Sequence, residues 1–473
     1  MFKNLLKSEF SKNVFTLLTG STIAQIIPFL LMPVISRLFS PEEFGLFAFY
    51  FSLISFFVVI ATGRYELAIL MPKKDSEGMN LVALSFGILI SLCLVLLLII
   101  TTFHSQIAQV MNKPELNDWL LYLPLCVFLA SSYEILTYWS NRKKRFGKTS
   151  RSVIMQASSR SGLLLYFGLI RNQFTGGFQN LVEFIKSLFS KNYSVPKGAT
   201  SFGVGGFIVG YMAGFGVSFL FLLANLLTHD RELLKEIKKK KMAELAKKYD
   251  KFPKINSLHA MTDEFKSSGV VFIISYAFSD IVLGFYNMTY RILRAPLGII
   301  GKSFGQVFLQ QSATMYANNQ NFVPLISKIV KRLAIIASPI FVIILLFGPQ
   351  LFGFVLGDEW RISGEYAQYL TPWLFVMFTS GAMVLLVMTE IQSTMNSMIY
   401  LMIFGIGSVV GMLVAAGIFS LPFSKKITEN QSLQLGLVVL SSLPLFPNEE
   451  KEIQRSAINM YRSPLFFTII FNK

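Results

Sequence analysis

Long apolar runs, each bounded by charged or turn residues, recur along the chain and are separated by short polar breaks. Twelve stand out: 14–36, 44–71, 81–103, 119–139, 153–170, 202–227, 269–289, 295–315, 333–357, 368–389, 397–420 and 434–446. A helix needs about 20 apolar residues to cross a bilayer, so the first eleven predict transmembrane helices. The twelfth is short and stops at Pro444. A polar, basic stretch at 228–266 leaves six runs before it and about six after. The expected layout is a first half over 1–228, a basic linker over 229–266, a second half over 267–446 and a tail over 447–473.

Composition supports the same picture. Of 473 residues, 53% are hydrophobic and only 15% are charged, against about 25% charged in an ordinary soluble domain. Mean hydropathy is +0.56, and 46 Phe stand beside 26 Asp and Glu. A soluble fold could not hide that much apolar surface, and a disordered or fibrous chain would not carry it. The predicted fold class is an all-α polytopic membrane protein.

The net charge of +17 is read first through topology, because Lys and Arg are retained on the cytoplasmic side. With the N-terminus inside, the inner segments carry 25 cations and the outer ones 11. The basic N-terminus MFKNLLKSEFSKN precedes an apolar run too long for a cleaved signal, so the run is expected to remain as the first span. In the linker, Leu233, Leu234, Ile237, Leu245 and Tyr249 recur at helical spacing up to Pro253. This predicts a helix that Pro253 closes, solvated and touching anionic headgroups. No interleaved aromatics accompany its lysines, so nucleic acid is not an expected partner.

Catalytic and metal chemistry find little support. Cys93 and Cys126 sit inside apolar runs and build no disulfide framework. His104, His229 and His259 are scattered, so no metal site is expected. No phosphate-binding Gly loop, HExxH or nucleophile elbow occurs. Gly206, Gly210 and Gly214 instead repeat every four residues, a spacing that lets membrane helices approach closely, as do Gly301/Gly305 and Gly407/Gly411. An outer loop over 171–201 carries the amphipathic piece NLVEFIKSLFSK, a candidate interfacial helix. The tail ends in SPLFFTIIF, which is too short to span.

The informative residues are ionisable groups inside spans, each costing about 2.5–3.5 kcal/mol at a helix centre. Asp280 and Lys302 lie mid-way through the seventh and eighth runs. With a turn near residue 292 their depths differ by only about 3 Å, which permits a pair, and Gln306 lies one turn from Lys302. Arg160 and Glu134 form an analogous pair in the first half. Arg64 and Glu66, two residues apart on a helix, should point in different directions. Arg64, Arg160, Lys302 and Gln306 are the candidate ligand-binding residues of a partly cationic cavity between the halves. Glu66, Glu134 and Asp280 are candidates for ion coupling or internal pairing. Deep cations suit an anionic ligand, phosphate above all.

Several segments carry a resemblance: FSPEEFGLFAFYFSLISFF, IATGRYELAILMPKKD, AKKYDKFPK, YRILRAPLGIIGKSFGQVFLQQS and LFGPQLFGFVLGDEWRISGEYAQYLTPW. In this order, over most of 12–420, they resemble the Wzx-type polysaccharide-repeat flippases of the multidrug/oligosaccharidyl-lipid/polysaccharide exporter superfamily. The resemblance implies two six-helix bundles around a central cavity, in the bacterial inner membrane with the N-terminus cytoplasmic. It implies a non-enzyme that flips undecaprenyl-pyrophosphate-linked oligosaccharide for O-antigen or capsule by alternating access. No cofactor is implied beyond an H+ or Na+ gradient. The implied partners are the lipid-linked oligosaccharide, membrane lipids, a polysaccharide polymerase and a chain-length regulator. Arg64 matches a recurring family motif, whereas Arg160 and Lys302 rest on the depth argument. The long 171–201 loop, the short twelfth run and the tail depart from the family. Two rival readings fit the same sequence: a cation-coupled drug or metabolite exporter of the same superfamily, and a membrane polysaccharide polymerase or ligase. The first should prefer a carboxylate-rich cavity. The second should carry a large outer catalytic loop, and 171–201 has no His or Asp to serve one.

Overall fold

A computed structural model of the chain describes residues 9–171, 200–295 and 323–390. The runs at 397–420 and 434–446 lie outside the described residues, as does nearly all of 295–315. So do Lys302, Gln306, the Gly301/Gly305 and Gly407/Gly411 pairs, the NLVEFIKSLFSK segment and the tail. Everything described is helix and connection, with no strand among the described residues.

The first half is built from α1 (Glu9–Leu38), α2 (Pro41–Ile60), the single turn α3 (Tyr65–Ala68) and α4 (Asp75–Val110). It continues through a turn α5 (Asn117–Leu120), α6 (Leu123–Arg142), α7 (Phe146–Arg171) and α8 (Thr200–His229). The linker holds α9 (Arg231–Leu234) and α10 (Lys239–Lys248). The second half contains α11 (Ser257–Ala277), α12 (280–295), α13 (Val323–Leu356) and α14 (Arg361–Glu390). Six of these helices are long and apolar enough to cross a membrane, and counting the bent α5–α6 pair as one span makes seven.

The helices run to and fro between two ends. The linker face holds Arg64, Asp75, Arg142, Asp230 and the linker. The opposite face holds the turns after Leu38, Val110, Ala277 and Leu356. Local chemistry explains why chains turn there. Ser40 opens α2 with a reciprocal cap: the Glu43 amide donates to Ser40 Oγ (3.4 Å) and the Ser40 amide donates to Glu43 Oε2 (2.9 Å). Pro41 takes the first helical position, where no amide hydrogen is needed. At the linker face, Asp75 receives Arg142 Nε (3.0 Å) and Lys143 Nζ (2.6 Å). Asp230 receives both Arg145 terminal nitrogens and the Trp139 indole (2.9 Å). Arg142, Lys143 and Arg145, among the cations of the inner segments, are therefore pins between helix ends as well as topological signals.

Four expected elements differ. The 44–71 run is not one helix, because Gly63 (φ +58) and Arg64 (φ +59) adopt left-handed backbone and break it. The 119–139 run is bent by 57° between Pro114–Leu120 and Leu123–Arg142. The 269–289 run is cut at Phe278, whose backbone is extended, and Ser279 Oγ accepts the Val282 amide (3.4 Å) as an N-cap for α12. The turn expected near 292 thus lies at 278–279. Pro253 does not close the linker helix. The chain instead breaks between Leu234 and Lys239, then passes through a wide helical turn at Phe252–Asn256 straight into α11. Nor is the linker simply solvated. Asn80 on α4 donates to the Glu236 carbonyl (3.1 Å) and accepts the Lys238 amide (2.9 Å). Leu245 is buried, and Tyr65 Oη donates to the Ala246 carbonyl (3.0 Å).

Candidate functional site

Arg160 occupies the middle of the first half. Fourteen residues into α7, it sits about 21 Å from the linker-face end of that helix at 1.5 Å per residue. The glycine stripe of α8 brings α7 close at this level. A β-carbon at Gly210 would lie 3.1 Å from the Arg160 carbonyl, and one at Gly214 would lie 3.1 Å from Arg160 Cβ. Its guanidinium lies over Phe47 of α2 (5.5 Å) and Tyr211 of α8 (5.8 Å). Aromatic faces supply negative potential where hydrocarbon cannot, which helps hold a cation at this depth. The residue is half-buried.

A second guanidinium from the other half lies within range of its charge. A turn near 292 would leave Arg291 at a membrane face. With the turn at 278–279 it lies eleven residues into α12, about 16 Å from the opposite face. It too is half-buried, and its charge interacts with that of Arg160. Among the described residues neither guanidinium has a carboxylate partner. The sequence signal for Arg291 was available in the cap at Ser279–Asp280, which sets where its helix starts.

The expected pairs are rearranged. Asp280 does not sit mid-span: at the start of α12 it accepts Lys113 Nζ (2.6 Å) from the turn after α4. Glu134 is not paired with Arg160 among the described residues. It lies eight residues from the linker-face end of α6, within range of the charges of Glu66 and Arg64, and all three charges reach Tyr138. Arg64 and Glu66 do not diverge. The left-handed backbone at Arg64 folds its side chain back to Glu66 Oε1 (3.4 Å), while Thr62 Oγ1 donates to the other carboxylate oxygen. The result is a polar knot of Arg64, Glu66 and Glu134 toward the linker face. Tyr211, whose ring faces Arg160, lies within range of the charges of both Glu134 and Arg160. Lys302 and Gln306 lie outside the described residues.

Direct polar contacts between the halves gather at the opposite face. Arg37 donates to the carbonyls of Phe354 and Val355, and Ser36 Oγ donates to that of Leu356 (2.8 Å). Trp360, 1% exposed, returns its indole hydrogen to the Ser36 carbonyl (2.8 Å). Gly45 of α2 meets the Asp280 carbonyl, and Gly284 meets that of Pro41, with no room for a β-carbon at either.

Two family models, each described as "Polysaccharide biosynthesis protein", match residues 10–171 and 168–364. The chain belongs to the polysaccharide biosynthesis protein family. No individual curated protein matches it. Among solved structures, an inward-facing conformation of a multidrug resistance MATE family transporter of the MOP superfamily is similar, with a TM-score of 0.51. The two share 14% identity over 90% of each chain, so this likeness speaks for fold alone. Within that fold, the FSPEEFG and LGDEW segments that resemble the family make the contacts at the opposite face. ATGRYEL makes the polar knot. The chain is accordingly a multi-pass membrane protein built on a transporter fold.

Proposed function

We propose that the chain is a flippase that carries an undecaprenyl-pyrophosphate-linked oligosaccharide across the bacterial inner membrane by alternating access. The observation that carries this reading is that Arg160 and Arg291, one from each half, lie at mid-depth within range of each other's charge. Both cations are half-buried and without a carboxylate partner among the described residues. Two like charges there are costly unless water or an anion lies between them. A diphosphate offers oxygens to both guanidiniums in the bidentate manner arginine favours, while its lipid tail stays in hydrocarbon. No covalent step is needed. Glu66 and Glu134, held near Arg64, are the proposed carboxylates for an H+ or Na+ gradient. On this reading the linker face is cytoplasmic and the polar seal lies at the periplasmic face.

The test is Arg160→Ala, Arg291→Ala and the double variant in cells making a repeat-unit polysaccharide. Each should lower surface polysaccharide and accumulate lipid-linked repeat units at unchanged protein level, the double variant most. Normal surface polysaccharide in the double variant would refute the assignment. A cationic-drug export phenotype with normal polysaccharide would favour the exporter reading instead.

A further inference from the structure

The linker has two faces with different chemistry. Residues 231–254 carry ten cations against four acids. One face is pinned to the first half by the reciprocal Asn80 bonds, by Lys241 Nζ to Glu77 (3.6 Å), by buried Leu245 and by the Tyr65–Ala246 bond. The other face leaves Lys239, Lys240, Lys247, Lys248 and Lys251 exposed. The Glu77 and Asn80 pins lie within the first turns of α4, a helix long and apolar enough to cross the membrane, so the exposed lysines stand at headgroup level. Just beyond them Ile255 (58% exposed) and Leu258 (66% exposed) offer apolar side chains at the same level. A basic surface next to exposed apolar residues at the end of a span fits an anionic lipid leaflet better than it fits water.

We propose that the lysine face of residues 235–254 binds anionic phospholipid headgroups, and that lipid bound there steadies the left-handed turn carrying Arg64. The link is the Tyr65 hydroxyl, one residue after Arg64, which donates to the linker carbonyl at Ala246. Anything that immobilises α10 against the first half therefore holds that turn, and with it the Arg64–Glu66 contact. The surface does not depend on what the transporter carries.

Hydrogen exchange on the purified full chain in lipid nanodiscs tests this. One set of discs is pure phosphatidylcholine and the other contains phosphatidylglycerol. Phosphatidylglycerol should slow exchange in 235–254 and in 61–70 by about fivefold or more, the effect of a single lysine–headgroup contact. Raising the salt should remove the difference, because exposed charges are screened. Lys239→Gln, Lys240→Gln, Lys247→Gln and Lys248→Gln together should abolish it in both segments. Tyr65→Phe should abolish it in 61–70 alone. Equal exchange in the two membranes, or protection that survives the four substitutions, would overturn the proposal. Protection by an oligonucleotide in phosphatidylcholine discs with none from phosphatidylglycerol would overturn it in favour of a polyanion site.

Discussion

Lys113 is the strongest single handle on the polar seal between the halves. Its ammonium lies 2.6 Å from Asp280 Oδ1, with the two side chains 6% and 15% exposed. It also lies 5.9 Å from the Phe49 ring centre. Glu42 and Glu115 belong to the same knot, because the charges of Glu115 and Lys113 act on both Glu42 and Asp280. One cation therefore bonds Asp280 of α12 and offsets Glu42 of α2, with Glu115 of the turn after α4 adding a third negative charge nearby. Removing one member of a buried ion pair costs about 3–5 kcal/mol, because the survivor is left buried and unpaired. For Lys113→Ala the survivors are three mutually repelling anions, partly relieved by the start of α12 at Asp280, an effect of about 0.3–1 kcal/mol. A net cost near 3 kcal/mol follows, and it falls on the state in which this face is closed. Asp280→Ala leaves Lys113 with two other carboxylates and should cost only about 1–2 kcal/mol. At about 1.4 kcal/mol per factor of ten, the open fraction should rise about a hundredfold in the first variant and about tenfold in the second. A cysteine placed at Ser36, buried where α1 meets α13, reads this as its rate of labelling by an impermeant thiol reagent, with Cys93 and Cys126 replaced by Ser. Lys113→Arg should label like the parent. The double alanine variant should label more slowly than the product of the single effects requires. Unchanged labelling in Lys113→Ala, or strict additivity of the two alanines, would refute the role given to the pair.

Two further outcomes follow from the same face. Gly284→Ala puts a methyl group into the Pro41 carbonyl and should weaken the seal by about 1–3 kcal/mol, as overpacking does, read as faster Ser36Cys labelling; parental labelling would show that α2 can move aside freely. Trp360→Ala removes a buried indole packed edge-on to Phe44 and Phe285 together with its bond to Ser36. It should cost about 3–5 kcal/mol, seen as a lowered melting temperature in detergent, with Trp360→Phe recovering most of the loss.

The halves of the chain were not equally legible. A run of about 20 apolar residues is a strong signal, because each helix must satisfy its own backbone in hydrocarbon. Most spans of the first half and the glycine stripe of α8 were readable from the sequence. The breaks were harder to see. Gly63–Arg64 sits inside apolar neighbours on both sides, and hydropathy averages over a left-handed turn without registering it. Arg64 and Glu66 were therefore placed on one regular helix and expected to diverge, whereas the turn folds them together.

The largest consequence came from two residues. Read as one run, 269–289 puts a turn near 292, sends Asp280 to mid-depth and Arg291 to the surface. Read as a helix ending at Ala277 and another capped by Ser279, the same letters exchange those roles: Asp280 moves to the opposite face and Arg291 moves inward. Depth along a span is counted from its end, so an error of about fourteen residues in the end misplaces a side chain by about 20 Å. That is most of the hydrocarbon thickness. The expectation of one deep cation from each half rested on Arg160 and Lys302; among the described residues the second-half cation facing Arg160 is Arg291. Two independent contacts fix the corrected end, the Lys113–Asp280 pair and the Gly284–Pro41 approach, and both require residues 280–284 to lie where α2 begins. Any substitution that lengthens α11 through Phe278, such as Ser279→Ala, should loosen both contacts together, and with them the inward placement of Arg291.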